Sequence, residues 1–86
     1  MGYEKQMSVV QSISNATAGE MRKLDEVAQE MGRTTQFSAA EAGKGLEYMA
    51  MAGWKADQMT AGLPAILSLA AASGEELGAV SDIVTD

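Results

Sequence analysis

The stretch Thr34-Thr35-Gln36-Phe37-Ser38-Ala39-Ala40-Glu41-Ala42-Gly43-Lys44-Gly45-Leu46-Glu47-Tyr48-Met49-Ala50-Met51-Ala52-Gly53-Trp54 carries both ends of one helix in its own residues. Ser38 and Glu41 have the spacing of a capping box, in which each side chain satisfies a backbone N–H that the first helical turn leaves orphaned. Gly53 is the matching stop, because glycine takes the left-handed conformation that closes a helix, and Trp54 after it supplies the apolar contact that accompanies such an end. Between these ends Ala42, Leu46, Met49, Ala50 and Gly53 recur at helical spacing and make one narrow apolar stripe. Gly43 and Gly45 each cost up to about 1 kcal/mol relative to alanine in a helix interior. With Ala39, Ala40 and Ala42 beside them they predict close approach of another backbone, within the chain or between chains through Ala39, Gly43, Gly45 and Met49. A phosphate-binding reading of these glycines fails, since no strand precedes them and the spacing fits neither dinucleotide-binding nor P-loop patterns.

Toward the N-terminus, Thr17 and Glu20 repeat the capping-box signal, and Met21, Leu24, Val27, Ala28 and Met31 form the inward stripe of a helix expected to stop at Gly32. Arg22, Lys23, Asp25, Glu26 and Glu30 fall on its solvated side, where pairs such as Arg22 with Glu26 contribute only about 0.2 to 0.5 kcal/mol each. Residues 3 to 15 read as a first helix with Tyr3, Met7 and Val10 on one face and Val9 and Ile13 widening it. Ser12, Ser14 and Asn15 compete for backbone hydrogen bonds and place its end near Asn15. The link Arg33-Thr34-Thr35-Gln36-Phe37 is rich in β-branched residues and is expected to be extended. Phe37, one residue before the Ser38 cap, reads as a hydrophobic staple rather than as an exposed recognition aromatic.

Toward the C-terminus, Pro64 offers two outcomes, a kinked helix over 56–72 or a short helix ending near Leu63 followed by a new one with Pro64 in its first turn. The second is favoured, with Ile66, Leu67, Leu69 and Ala70 as the most buried surface of the chain. Ser73-Gly74-Glu75-Glu76 gives a third start signal, for a last helix with Leu77, Val80, Ile83 and Val84 inward. The expected fold is therefore all-α, a small bundle of about five short helices with the capacity to self-associate. One domain spans 1–86, and an end at Asp86 without a glycine stop predicts that it is a segment of a larger protein.

Composition excludes most chemistry. Cys 0 and His 0 remove disulfides, the usual nucleophile pairs, the usual transition-metal ligands and the commonest general base. Glu26 with Glu30 and Glu41 with Glu47 are expected on solvent-exposed faces, so no residue is assigned a catalytic, cofactor-binding or metal-binding role and no enzyme is predicted. The net charge of −6 provides no basic footprint for nucleic acid. The longest uncharged run, 58–74, falls short of the roughly 20 apolar residues a membrane span needs. At 86 residues the core is small, so a partner or a second copy would add to its stability.

One resemblance extends across these signals. The words Phe37-Ser38-Ala39-Ala40-Glu41-Ala42 and Gly45-Leu46-Glu47-Tyr48-Met49-Ala50-Met51-Ala52-Gly53-Trp54, then Gly62-Leu63-Pro64, Leu69-Ala70-Ala71-Ala72-Ser73-Gly74 and Asp82-Ile83-Val84, resemble in order the core region of phage tail tape measure proteins. Gly43 and Lys44 depart from that pattern, standing where a small alanine and an acidic or polar residue are expected. The resemblance implies a virion structural protein of a phage or prophage. Such a protein sits in the tail tube lumen, reaches it from the bacterial cytoplasm during assembly and helps set tail length. Self-association, the tube protein and an assembly chaperone are the implied partners. A second class, a small secreted helical hairpin of the Trp-x-Gly type, matches the length and acidity, but here Gly53 directly precedes Trp54 and Pro64 interrupts the second arm.

Overall fold

The structure, a computed structural model, describes residues 2–73 and contains four helices: α1 (Gly2–Ser14), α2 (Ala18–Thr34), α3 (Ala39–Met51) and α4 (Ala56–Ser73). No strand occurs among the described residues. The third helix is the hub: it packs against each of the other three, α2 also meets α4, and α1 lies mainly on α3 with slight contact to α2. The Cα radius of gyration is 11.4 Å, close to the roughly 11 Å of a compact domain of this size. The count of about five helices becomes four here, and the last expected helix, beyond Ser73, lies outside the described residues.

The ends follow local chemistry. Both capping boxes form: Thr17 Oγ1 accepts from the Glu20 amide at 3.1 Å while Glu20 accepts from the Thr17 amide at 2.8 Å, and Ser38 and Glu41 repeat these distances. Helix α3 closes as anticipated, with Gly53 at φ +91°. The Trp54 amide donates to the Met49 carbonyl at 3.1 Å and the Gly53 amide to the Ala50 carbonyl at 3.0 Å. This pair of bonds defines a Schellman end. Helix α1 stops at Asn15, which takes the left-handed conformation at φ 59°, with its amide on the Gln11 carbonyl at 2.8 Å. At the start of α4 the Lys55 amide donates to Gln58 Oε1 at 2.8 Å, the glutamine half of a box without its Ser or Thr partner.

Packing overrides the sequence signals at two points. Gly32 does not stop α2, which runs two residues further to Thr34. A Cβ built on Gly32 would lie 2.8 Å from the Ala39 amide nitrogen and 3.2 Å from its Cα. The glycine is thus the notch that admits the first turn of α3, and Arg33 and Thr34 are helical where extended backbone was expected. Pro64 does not break α4, which continues from Ala56 to Ser73. Met59, Leu63, Ile66 and Leu67 are fully buried on one helical face. Holding four such side chains there, at about 1.5 to 3 kcal/mol each, outweighs the roughly 3 kcal/mol cost of an interior proline.

The core joins α1 through Met7 and Val10, α2 through Leu24 and Ala28, α3 through Ala42, Leu46 and Met49, and α4 through the residues above. Phe37 and Trp54 are half-buried against it, which agrees with the anchor reading of Phe37. Two expected inward residues face out, Ile13 at 41% and Leu69 at 45% exposure. Gly53, placed in the α3 stripe by spacing, is exposed as well.

Gly32→Ala is expected to lower stability by about 1 kcal/mol or more, although alanine favours a helix by a similar amount, because the added methyl overpacks the contact with Ala39. A urea midpoint that rises would show the notch to be slack. Pro64→Ala restores an N–H for the Thr60 carbonyl and is expected to raise stability by about 1 to 3 kcal/mol. The same titration checks it, and a fall in midpoint would assign the half-buried ring a packing role larger than its helix cost.

Candidate interaction surface

Among the described residues, most acidic side chains take structural or solvated positions. Glu20 and Glu41 are committed to capping boxes, and Glu26 and Glu30 are exposed, Glu30 pairing with Arg33 one turn on. Glu47 departs from expectation: its side chain is 20% exposed, accepts a hydrogen bond from Gln6 Nε2 on α1, and has Lys44 Nζ 3.7 Å away. Lys44 also lies 5.6 Å from the centroid of the Tyr48 ring. Among the described residues, no group of Asp or Glu side chains is arranged to hold a metal ion. None of their helices is long and apolar enough to cross a membrane.

Two polar clasps fasten α1. Besides Gln6 on Glu47, the Tyr3 hydroxyl donates to Asp25 Oδ1 on α2. Burial raises the Tyr3 pKa well above its ordinary 10.0, the hydrogen bond and the negative charge of Asp25 raise it further, and a hydrogen bond from Gln29 opposes them. Between these clasps α1 rests on the Gly43 notch, where an added Cβ would meet Gln6 Cγ at 3.0 Å and Met7 Sδ at 3.5 Å. What lies against this glycine is therefore side chains of α1 within the same chain, where approach of another backbone was expected. Gly43, Gly45 and Met49 are buried in the single chain and Ala39 is half-buried, so these residues do not form a free face for a second copy. The clasps were not foreseeable from spacing, since the partners lie 22 and 41 residues apart and no local pattern links them.

Among the open grooves along α2, two reach a neighbouring helix. One, about 590 Å³, runs between α1 and α2 over Met7 and Met21, with Tyr3, Gln11, Arg22 and Asp25 along its edges. The other, about 560 Å³, lies beside Lys23, Val27, Glu30 and Arg33 and reaches Thr60 of α4. The outward side of α4 differs from both. Ala61, Ala65, Ser68, Leu69, Ala71 and Ala72 are exposed there without a charged residue among them. Met51, 64% exposed at the end of α3, is the most exposed large apolar side chain among the described residues. Among the described residues, these surfaces bring no reactive groups together.

Comparison with known proteins gives this surface its context. Residues 25–86 match the phage-related minor tail protein family. The chain is 40% identical over 80 residues to the tape measure protein of Pneumococcus phage Dp-1, an alignment covering 93% of this chain and 7% of that protein. No solved structure matches.

The Tyr3 clasp sets a pH dependence. Unfolded Tyr3 releases its proton near its ordinary 10.0, whereas the folded chain retains it to higher pH. The contribution is therefore whole below about pH 10 and is lost as the pH rises beyond it. Urea midpoints measured between pH 8 and 11 are expected to fall more steeply for the native chain than for Tyr3→Phe, and parallel curves would remove the clasp as the cause.

Proposed function

The chain belongs to the phage-related minor tail protein family, and from that membership we propose that it is a non-enzymatic structural and assembly module of a phage or prophage tail tape measure protein. The observation that carries the reading is the 40% identity to a tape measure protein across 93% of the chain. The chain spans 7% of the length of that relative, which supports reading the module as one part of a larger protein that contributes to tail assembly and tail-length determination. Its place is the virion tail, in the tube lumen, after assembly in the bacterial cytoplasm. Its partners are further copies of itself, the tube protein and an assembly chaperone.

Geometry favours a module over a stretch of ruler. A ruler needs length in proportion to residue count, and a continuous helix supplies about 1.5 Å per residue, which is roughly 108 Å for residues 2–73. The folded chain extends 33 Å along its longest axis. Caps at Thr17 and Ser38 and the stop at Gly53 divide it into helices that turn back on one another. The secreted-hairpin alternative loses its footing here, because Gly53-Trp54 closes one of the four described helices and the Trp54 ring lies over Gly62 of the next.

The test is an in-frame deletion of this segment from the parent protein in its phage. Few or no complete tails by electron microscopy are expected, with any survivors of unchanged length. A normal yield of tails shortened by roughly 130 Å, the length of these residues as one helix, would make the segment a ruler. Normal yield at normal length would deny it any assembly role.

A further inference from the structure

Resting on the reading that further copies of the chain are among its partners, we propose that two copies meet through the outward side of α4, in a two-fold pair whose helices run antiparallel and cross at Ala65. The face that spacing pointed to is excluded, since Gly43, Gly45 and Met49 are buried in the single chain. On α4, Ala61, Ala65, Ser68, Leu69 and Ala72 are exposed at spacings of four, three, one and three. Residues so spaced share one side of a helix. Leu69, 45% exposed, stands above its smaller neighbours. The order of these residues suits a partner with the same sequence. A two-fold contact that brings residue i onto j also brings j onto i. With Ala65 on the axis, Leu69 lies four residues after it and Ala61 four before, so each leucine meets the alanine of the other copy. Ala65 meets its own counterpart at the crossing, where small side chains admit a helix separation of about 8 Å.

Charge favours the same surface. The chain carries −6, and the exposed side of α2 presents Arg22, Lys23, Glu26 and Arg33. Two acidic copies repel each other, and a charge buried between them without a partner is costly. Beyond Asp57 in its first turn, α4 has no charged residue for a second copy to bury. The stripe exposes on the order of 300 Å² of largely apolar surface, within the range at which a patch marks an interaction site. Two such stripes bury less than the roughly 1,200 Å² of stable interfaces, so the pair is weak and forms at high concentration.

Sedimentation and crosslinking of the full chain test this. The native chain is expected to shift from monomer toward dimer as its concentration rises to about 1 mM. The chain has no cysteine, so each single-cysteine variant carries one crosslinking site. Under oxidation Ala65→Cys is expected to form a disulfide dimer at least about tenfold faster than Lys23→Cys, because facing Cα atoms at a close crossing lie within the roughly 7 Å that a disulfide bridges. Ala61→Cys mixed with Ser68→Cys is expected to crosslink faster than either alone, as an antiparallel pair requires. Leu69→Asp is expected to weaken dimerisation at least about tenfold, and Ala40→Asp, the same charge change at an exposed position of α3, by less than about twofold. All the substituted positions are exposed, and circular dichroism checks that each variant keeps its helices. A native chain that stays monomeric throughout, Ala65→Cys no faster than Lys23→Cys, either single variant faster than the mixture, or equal effects of Leu69→Asp and Ala40→Asp would overturn this interface. None of these results bears on the tail-module reading, which the in-frame deletion tests separately.

Discussion

The bundle depends on how closely its helices can approach, and glycines set that distance at three of its joints. Gly43 seats α1 on α3, Gly32 admits the first turn of α3 beside α2, and Gly62 lies under Trp54, whose Cζ3 would be 2.7 Å from an added Cβ. Each of these glycines costs its helix about 1 kcal/mol relative to alanine. The cost is offset because atoms of a neighbouring element occupy the space where a side chain would stand, and contact at that range gains dispersion along both surfaces. Alanines extend the principle along α3, where Ala42 and Ala50 are buried between larger residues of the other helices.

Legibility of the fold follows the range of the interaction. The boxes at Thr17 and Ser38 and the stop at Gly53 were readable because each is completed within six residues of chain, by groups that have few other partners to choose. Gly32 and Pro64 were misread for the opposite reason. Glycine signals a helix end only when nothing else requires its missing side chain, and Ala39 does. Proline breaks a helix only when the burial on either side of it is worth less than the break, and the face from Met59 to Leu67 is worth more. The α1 clasps had no sequence signal, since Gln6, Asp25 and Glu47 read as ordinary surface residues and Tyr3, placed on the apolar face of α1, gave no sign of the partner its hydroxyl would find.

The surface repeats this division. Charges on α2 and α3 were correctly placed outside the apolar stripes, apart from Asp25 and Glu47, which the arrival of α1 half-buries and gives partners. Leu69 was misplaced because an apolar run wide enough to cover more than one face of a helix cannot say which of its members turns outward. Its exposure leaves α4, beyond Asp57 in its first turn, with an uncharged outer side in an otherwise charged molecule. Polar chemistry was legible mainly by subtraction: with His 0 and Cys 0, carboxylates and hydroxyls were the main remaining candidates. The structure uses Thr17, Glu20, Ser38 and Glu41 to finish helices.

Small-residue packing also limits what such a bundle can achieve alone. An alanine buried at a helix contact removes far less apolar surface from water than a leucine, and stabilisation scales at about 25 cal/mol per Å² of that surface. A core built from Ala42, Ala50, Ala56 and Ala70 around a few Leu, Ile and Met side chains is therefore close-fitting but modest in energy. Methionine reinforces the point, because Met7, Met49 and Met59 fill irregular space through flexible chains that specify shape less strongly than branched residues. Close fit gives this fold a defined form, while its thin reserve of burial makes stability responsive to whatever further surface it meets.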